Sequence, residues 1–141
     1  MGEYVYAAAA VHVPAPPEQV FALVTDWPRQ REWMFMTSAR QVAEDRIEAY
    51  TGIRPFGFLD VMTITAWDPP SLVRMRHIGR LVRGEGVIRV QACEGGSRVI
   101  WGERLRPPFG VLGRALWPLA RLLTVMLARH SLRKLGRLLS R

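Results

Sequence analysis

Two ionisable side chains, His77 and Glu103, follow apolar residues at intervals of two, which predicts that both lie on the inward face of a sheet. His77 follows Met75, and Glu103 follows Trp101. A buried carboxylate is costly unless it is paired, so we expect Glu103 to have a partner there. Histidine and carboxylate side chains commonly transfer protons in enzymes. The two residues are therefore candidates for acid–base catalysis, and a hydrogen-bonded core histidine or a polar anchor for a ligand are the alternatives.

Other kinds of chemistry lack the residues that they need. His12, His77 and His130 are scattered without the spacing of metal ligands, and Cys93 is the single cysteine. The glycines at 84–86 open a predicted strand rather than a helix, so they do not resemble a phosphate-binding loop. No Ser–His–acid or Cys–His arrangement stands out. We therefore predict no metal ion and no cofactor.

Length and composition favour one domain. A chain of 141 residues can bury a core of its own, and 49% hydrophobic with 23% charged residues is typical of globular proteins. We expect a single domain over residues 1–141. The first residues lack a basic segment followed by an apolar one, and the lone cysteine forms no disulfide within the chain. Both observations favour a cytoplasmic location.

The charge of the chain is uneven. Residues 1–68 carry nine acids and five arginines, whereas residues 69–141 carry fifteen cations and three acids, and no acid follows Glu103. A basic segment of this kind is often associated with nucleic-acid binding. However, 19 of the 20 cations are arginine and only Lys134 is lysine, which fits a coding bias. We therefore do not predict a nucleic-acid partner.

The pattern of apolar residues predicts seven strands, two short helices and one long helix. An alternating stretch at 4–13 ends in a proline-rich segment, and helical spacing begins at Pro17 and again over residues 29–33. Turn signals then separate six further strands, at 35–42, 47–51, 59–67, 72–78, 84–93 and 98–106. Strands joined by short turns form an antiparallel sheet, and only the long helix is large enough to cover it. A curved sheet around one helix leaves space between them.

The long helix is predicted over residues 109–141. Leu116, Leu119, Leu123 and Met126 recur at intervals of three and four, and His130 continues the same register. We expect this side of the helix to pack on the sheet, so that the segment held by the sheet runs from Leu116 to His130.

The remainder of the helix predicts a separate surface. Pro118 indicates a kink or a fresh helix start, and from Ser131 the apolar positions move to another side. The tail carries cations at intervals of four, Arg129, Arg133, Arg137 and Arg141. We predict that this tail contacts the protein's own edge, a homodimer partner or an anionic membrane.

Four stretches of the chain resemble one known family. They are residues 13–21 with Asp26-Trp27 and Glu32-Trp33, then Trp67-Asp68-Pro69-Pro70, then Gly95-Gly96-Ser97-Arg98-Val99-Ile100-Trp101, and finally Ser131-Leu132-Arg133-Lys134-Leu135. In order and spacing they resemble the START-related superfamily of polyketide cyclase/dehydrases and lipid-transport proteins. The resemblance implies an α+β helix-grip fold, in which a seven-stranded curved antiparallel sheet wraps around a long C-terminal helix. It also implies a cavity between sheet and helix for an apolar small molecule or lipid.

Residues of the inward faces are the predicted lining of that cavity. They are Met62, Ile64, Met75, His77, Ile88, Trp101, Leu116, Leu119, Leu123, Met126 and His130. Four aromatic residues are predicted to rim its entrance, Trp27, Trp33, Phe56 and Phe58. The leading hypothesis is a carrier of a small hydrophobic ligand. The alternatives are a cyclase or dehydratase that uses the same cavity, and a membrane-surface or protein-interaction module.

Overall fold

The computed structural model describes residues 4–140. Within them, seven strands form one antiparallel sheet in the order β1-β7-β6-β5-β4-β3-β2. The strands are β1 (Val5–Val13), β2 (Thr37–Ala43), β3 (Arg46–Ile53), β4 (Phe56–Asp68), β5 (Leu72–Ile78), β6 (Arg83–Cys93) and β7 (Gly96–Leu105). Strands β2 to β7 form a meander, and β1 lies beside β7. The prediction of an α+β fold with a seven-stranded curved antiparallel sheet is confirmed.

The helices lie at two places in the chain. Helix α1 (Pro17–Val24) and a 3₁₀ turn (Trp27–Glu32) separate β1 from β2, and helices α2 (Gly110–Ala115) and α3 (Trp117–Leu139) follow β7. Pro17 and Pro118 both occupy the first turn of a helix, where a missing N–H breaks no intrahelical bond. Of the two alternatives predicted at Pro118, a kink or a fresh helix start, the structure shows the fresh start. None of the helices in the described part of the chain is long and apolar enough to cross a membrane.

Small residues allow α3 to lie close to β1. Ala7 and Ala9 of β1 are buried, and a Cβ atom at Gly136 of α3 would lie only 3.6 Å from Cγ2 of Val13. Leu132 and Leu135 lie on the same side of α3 and are completely buried. The helix is therefore held through its second half, where each of these leucines contributes about 2–5 kcal/mol to stability.

The predicted orientation of the long helix is wrong. Leu116, Leu119, Leu123 and Met126 are 54%, 61%, 51% and 56% exposed, and His130 is exposed as well. Both sides of α3 are apolar, but Leu132 lies nine positions after Leu123, which is about 180° around the helix. Packing Leu132 on the sheet therefore turns the earlier leucines towards solvent.

Two further consequences follow from this orientation. Arg121, which lies about 200° around the helix from Leu119, turns towards the sheet edge and donates from Nε to the Tyr6 carbonyl at 3.2 Å. Of the three partners predicted for the tail from Ser131, the apolar side of the tail contacts the protein's own edge strand, β1. The prediction of a separate surface there is wrong, because Ser131, Leu132 and Leu135 are the packed part of the helix. The uncovered apolar surface instead belongs to α2 and to the first half of α3.

Candidate functional site

A cavity of about 260 Å³ lies between the inner face of the sheet and α3. Most of its walls are apolar, formed by Ala7, Ala8, Ala9, Met34, Phe35, Phe58, Val82, Trp101, Leu105, Val125, Leu127 and Ala128. The polar lining residues are Thr37, Thr51, Asp60, His77, Glu103, Thr124 and Ser131. An apolar pocket with a few placed polar groups is typical of small-molecule sites.

The charged part of the cavity is a cluster centred on His77. Its Nδ1 lies 2.9 Å from Oδ1 of Asp60, and its Nε2 lies 2.9 Å from Oε2 of Glu103. The three side chains are 5%, 15% and 13% exposed respectively. The imidazole ring thus bridges two nearly buried carboxylates.

The sheet register brings these three residues together. His77 pairs with Met62 on β4 and with Gly84 on β6, while Glu103 on β7 pairs with Gly86. The contact between His77 and Glu103 therefore passes over β6. A Cβ atom at Gly86 would lie 2.9 Å from Oε2 of Glu103 and 3.1 Å from Nε2 of His77. The glycine leaves the space in which the two side chains meet.

Trp101 completes the hydrogen bonding of Glu103. Its Nε1 donates to Oε1 of Glu103 at 2.9 Å, so both carboxylate oxygens accept a bond. The Trp101 ring in turn contacts the buried Trp33 ring edge to face, with centroids 6.3 Å apart. The position of Glu103 is therefore set by His77 on one side and by a packed indole on the other.

The ionisation of His77 follows from its partners. Burial is the largest influence and lowers the pKa of the imidazole, but the hydrogen bonds and charges of Asp60 and Glu103 together outweigh it and raise the pKa to about 10. His77 is consequently protonated at neutral pH and donates from both ring nitrogens. An imidazolium with both nitrogens engaged is a poor base, and a pKa near 10 makes it a poor acid at neutral pH.

A larger groove of about 460 Å³ adjoins the cavity and shares Ala7, Ala8 and Glu103 with it. It is open, and its side chains are mainly those of the opposite, outward face of the sheet, among them Tyr6, Arg74 and Arg104. We place the candidate site in the smaller cavity, because that cavity combines apolar walls with the buried ionic cluster.

The strand residues predicted to line the cavity divide into two groups. His77 and Trp101 line it, and Glu103, the other predicted proton-transfer candidate, lies beside them. Met62, Ile64, Met75 and Ile88 do point inward, but they pack in the adjoining core rather than against the cavity. Side chains of α1, such as Val20 and Phe21, belong to the same buried cluster and fill the space there.

The helix residues predicted for the lining lie elsewhere. Leu116, Leu119, Leu123 and Met126 are exposed on the far side of the helix, and His130 contacts the Phe35 ring edge to face at 6.3 Å. The helix lines the cavity instead with Thr124, Val125, Leu127, Ala128 and Ser131.

Two of the four aromatic residues predicted for the entrance, Phe56 and Phe58, are exposed, and the other two are not. Phe58 lines the cavity and is partly exposed, and Phe56 is 87% exposed at the neighbouring hairpin tip. Trp27 and Trp33 are buried in the core, so their assignment to the entrance is wrong. The aromatic rings of the 3₁₀ region pack under the sheet because a bulky indole stabilises most when it is removed from water.

Asp60 and Gly86 are the site residues that the sequence interpretation missed. Asp60 lies two positions before Met62, so strand alternation assigns it to the same inward face. Gly86 likewise lies two positions before Ile88. Strand alternation was therefore enough to predict that both residues face inward. It did not reveal the partner of Asp60, His77, which is 17 residues away on another strand.

Almost the whole chain is similar to one known protein family. The family model described as polyketide cyclase/dehydrase and lipid transport matches residues 5–140. No curated protein matches the sequence. The fold is similar to that of a START superfamily protein from Mycobacterium smegmatis, with a TM-score of 0.80 and 11% identity over 96% of this chain and 97% of that one.

Two further solved structures share this fold. A protein from Thermus thermophilus has a TM-score of 0.78 at 20% identity, covering 94% of this chain and 95% of its own. A polyketide cyclase-like protein from Corynebacterium glutamicum has a TM-score of 0.68 at 16% identity, covering 99% and 94% respectively. At these identities the structural likeness establishes the fold.

Proposed function

Since the chain belongs to the polyketide cyclase/dehydrase and lipid transport family, we propose that it binds a small hydrophobic molecule in the cavity between the sheet and α3. The observation that carries this proposal is the combination of a mostly apolar wall with one ionic cluster. Apolar walls supply affinity by removing ligand surface from water, at about 25 cal/mol per Å². The cluster supplies a fixed polar point that orients the ligand.

The size of the cavity limits the ligand. At about 260 Å³ it falls just below the range of roughly 300–1,000 Å³ that is usual for ligand pockets. Phe58, Val82 and Leu127 come from three different segments around it. A compact molecule or a short chain fits this space, and a longer chain would have to extend past these side chains into solvent.

A titration tests the proposal directly. A neutral fluorescent naphthylamine should bind purified protein saturably, and mass spectrometry of solvent extracts should reveal any co-purifying apolar molecule. Ala128→Leu adds volume to a residue that lines the cavity and should weaken binding, whereas Ala115→Leu makes the same change at an exposed position of α2. Equal binding by both variants, or no binding by the unaltered protein, would contradict the proposal.

A cyclase or dehydratase activity in the same cavity is the second candidate. The two carboxylates at the cavity support it, since proton transfer is the chemistry that such reactions need. The hydrogen bonds of His77 argue against a role for this residue as a base, because neither ring nitrogen has a free lone pair. Asp60 is the group of the cluster that retains an unengaged oxygen among the described residues. Turnover of a linear poly-β-ketone that disappears in Asp60→Asn would favour the enzyme, and absence of turnover favours the carrier.

A further inference from the structure

The net charge of the side chains that line the cavity is opposite in sign to the net charge of the whole chain. The formal net charge of the chain is +8. Among the described residues, those that line the cavity include Asp60, Glu103 and His77 but no arginine or lysine. Two carboxylates and one imidazolium leave a net charge of −1. A ligand that enters therefore meets a negative site inside a basic protein.

The hydrogen bonds within the cluster leave an acceptor for that ligand. His77 uses both nitrogens, and Glu103 uses both oxygens, on His77 and Trp101. Asp60 uses one oxygen on His77, and its Oδ2 has no hydrogen-bond partner in residues 4–140. A carboxylate oxygen can only accept. The free charged atom of the site can therefore bond only a ligand group that donates.

The hydroxyl groups of the cavity do not offset this preference. The Thr37 hydroxyl donates its proton to the Phe35 carbonyl, so it is the acceptor in its bond with Thr51. The Thr51 proton is therefore already engaged, and only the lone pairs of its hydroxyl are available to a ligand. Ser131 accepts from the Phe35 N–H, and its own proton has no acceptor within the described chain. That proton is a neutral donor on α3 and leaves the negative charge of the site unchanged.

We propose that the cavity selects apolar molecules that carry an N–H or O–H donor, an ammonium or a hydroxyl group, and rejects carboxylates and phosphates. This inference rests on the proposed binding function of the same cavity. A donor group on the ligand would bond Asp60 Oδ2, while its apolar part contacts side chains such as Phe58 and Leu127. An anionic group would instead be buried next to two carboxylates whose shared countercharge, His77, already donates from both ring nitrogens.

Three short molecules of equal chain length test the inference. Octylamine, 1-octanol and octanoate should be compared at neutral pH by calorimetry or by chemical-shift titration. A hydrogen bond to a charged group contributes about 1.5–3 kcal/mol, so the amine and the alcohol should bind about tenfold or more tightly than octanoate. Tighter binding of the amine than of the alcohol would show that the positive charge increases the affinity beyond the effect of the hydrogen bond. Equal binding would show that the affinity depends on the hydrogen-bond donor alone.

One substitution identifies the atom responsible. Asp60→Asn keeps the shape but removes the charge, so octylamine should lose its advantage over octanoate. Asp68→Asn removes the same charge at an exposed position of the same strand and should leave the order unchanged. If octanoate binds as well as the other two molecules, the head-group inference fails while the binding function stands. If none of the three binds, the binding function itself fails.

An independent observation concerns the surface of α2 and α3. The side chains that face away from the sheet there are large and apolar, and no described residue covers them. Their exposure ranges from 51% at Leu123 to 84% at Val111, and the set includes Val111, Leu112, Leu116, Leu119, Leu122, Leu123 and Met126. Soluble proteins rarely expose contiguous apolar patches of more than a few hundred Å². We call this set the outer leucine surface.

The outer leucine surface continues into a basic one. Arg133, Lys134 and Arg137 are exposed, and at 100° per residue they fall on the same side of α3 as Leu119 and Met126. No acid follows Glu103 in the chain. One side of α3 is therefore apolar in its first half and positively charged in its second half.

From this pattern we infer that the outer leucine surface docks on an anionic lipid membrane. Apolar side chains and arginines on one helix complement acyl chains and anionic head groups respectively. A second copy packed on the same surface would place the basic half of α3 against either the basic or the apolar half of its partner, without an acid on α3 to pair it, which opposes association. Charge complementarity thus selects the lipid surface over a homodimer.

Vesicle binding tests this inference. The protein should co-sediment with equimolar phosphatidylglycerol and phosphatidylcholine vesicles, less so at high salt, and weakly with phosphatidylcholine alone. Leu119→Glu with Leu123→Glu should abolish binding, and Val42→Glu, at an exposed position of β2, should not. Absence of vesicle binding by the unaltered protein overturns the inference, as does binding that the double variant retains. A dimer that the double variant dissociates, without vesicle binding, would assign the surface to a second copy.

Discussion

His77 on β5 and Glu103 on β7 contact each other across the intervening strand, with 2.9 Å between Nε2 and Oε2. Side chains of two strands that are not neighbours meet only when the strand between them presents little bulk. Gly86 fills that role, since a Cβ atom there would lie 2.9 Å from Oε2 of Glu103 and 3.0 Å from Oε1. The ionic cluster therefore depends on a glycine that carries no charge itself.

Gly86→Ala should disrupt the cluster without touching its charged residues. The new methyl group has to displace the Glu103 carboxylate, which is the flexible end of its side chain. Loss of the hydrogen bond to a charged group should lower the free energy of unfolding by about 1.5–3 kcal/mol, and the pKa of His77 should fall. Urea unfolding measures the first effect, and an NMR titration of the imidazole measures the second.

Gly102→Ala is the matched control for this change. It lies on β7, and its Cβ would meet only Cγ1 of Val87, at 3.3 Å, on the other face of the sheet. It should leave the His77 titration unchanged. An unaltered His77 titration in Gly86→Ala would contradict the assigned role of the glycine.

The stability of the protein should fall as the pH rises through the alkaline range. The pKa of His77 is raised from 6.5 to about 10 in the folded state, so its contribution is fully present below pH 6.5 and is lost as the pH approaches 10. The size of the shift corresponds to roughly a few kcal/mol. Urea midpoints measured across this range in the unaltered protein should show the decline.

His77→Gln should remove most of this pH dependence. An amide can bond both carboxylates in part but does not titrate, so its unfolding free energy should change little over the same range. His12→Gln is the control, because His12 is exposed and, among the described residues, its side chain bonds only the Glu94 carbonyl. If His77→Gln retains the full slope, another group is responsible for it.

Trp101→Phe should lower stability and leave one oxygen of Glu103 free. The ring packing on Trp33 is kept in part, but the bond from Nε1 to Oε1 is lost. The expected loss is about 1.5–3 kcal/mol, because the acceptor is charged and nearly buried. Thermal or urea unfolding checks this value, and an unchanged stability would show that solvent replaces the indole donor.

Strand alternation was sufficient to predict the inward position of His77 and Glu103. Arg74 and Arg76 flank the inward residues of β5, so the polarity of the two faces differs clearly. Their mutual contact could not be predicted, because it depends on the register of three strands. The contact between Asp60 and His77 likewise depends on the register of β4 and β5, which sequence spacing does not reveal.

The orientation of α3 could not be predicted because both of its sides are apolar. The regular spacing of Leu116, Leu119 and Leu123 is a strong helical signal, but it does not state which side the sheet covers. The packed side carries small residues, such as Ala128 and Gly136, between its leucines, so it is less hydrophobic than the exposed side. Hydrophobicity alone therefore favoured the wrong side.

Two leucine substitutions in α3 test this orientation. Leu132 is completely buried and Leu119 is 61% exposed, although both are leucines of the same helix. Leu132→Ala should lower the free energy of unfolding by about 2–5 kcal/mol, because it leaves a cavity next to β1. Leu119→Ala should change it by about 0.5 kcal/mol or less, since the side chain has few contacts to lose. Urea unfolding of the two variants measures both values.

The same pair separates folding from membrane docking. Leu132→Ala should bind anionic vesicles as the unaltered protein does wherever it remains folded, because Leu132 faces the sheet. Leu119→Ala should bind them more weakly at unchanged stability, because it removes area from the outer leucine surface. A large loss of stability in Leu119→Ala would mean that this leucine packs inside the protein, and the outward position of the leucine surface would then be wrong.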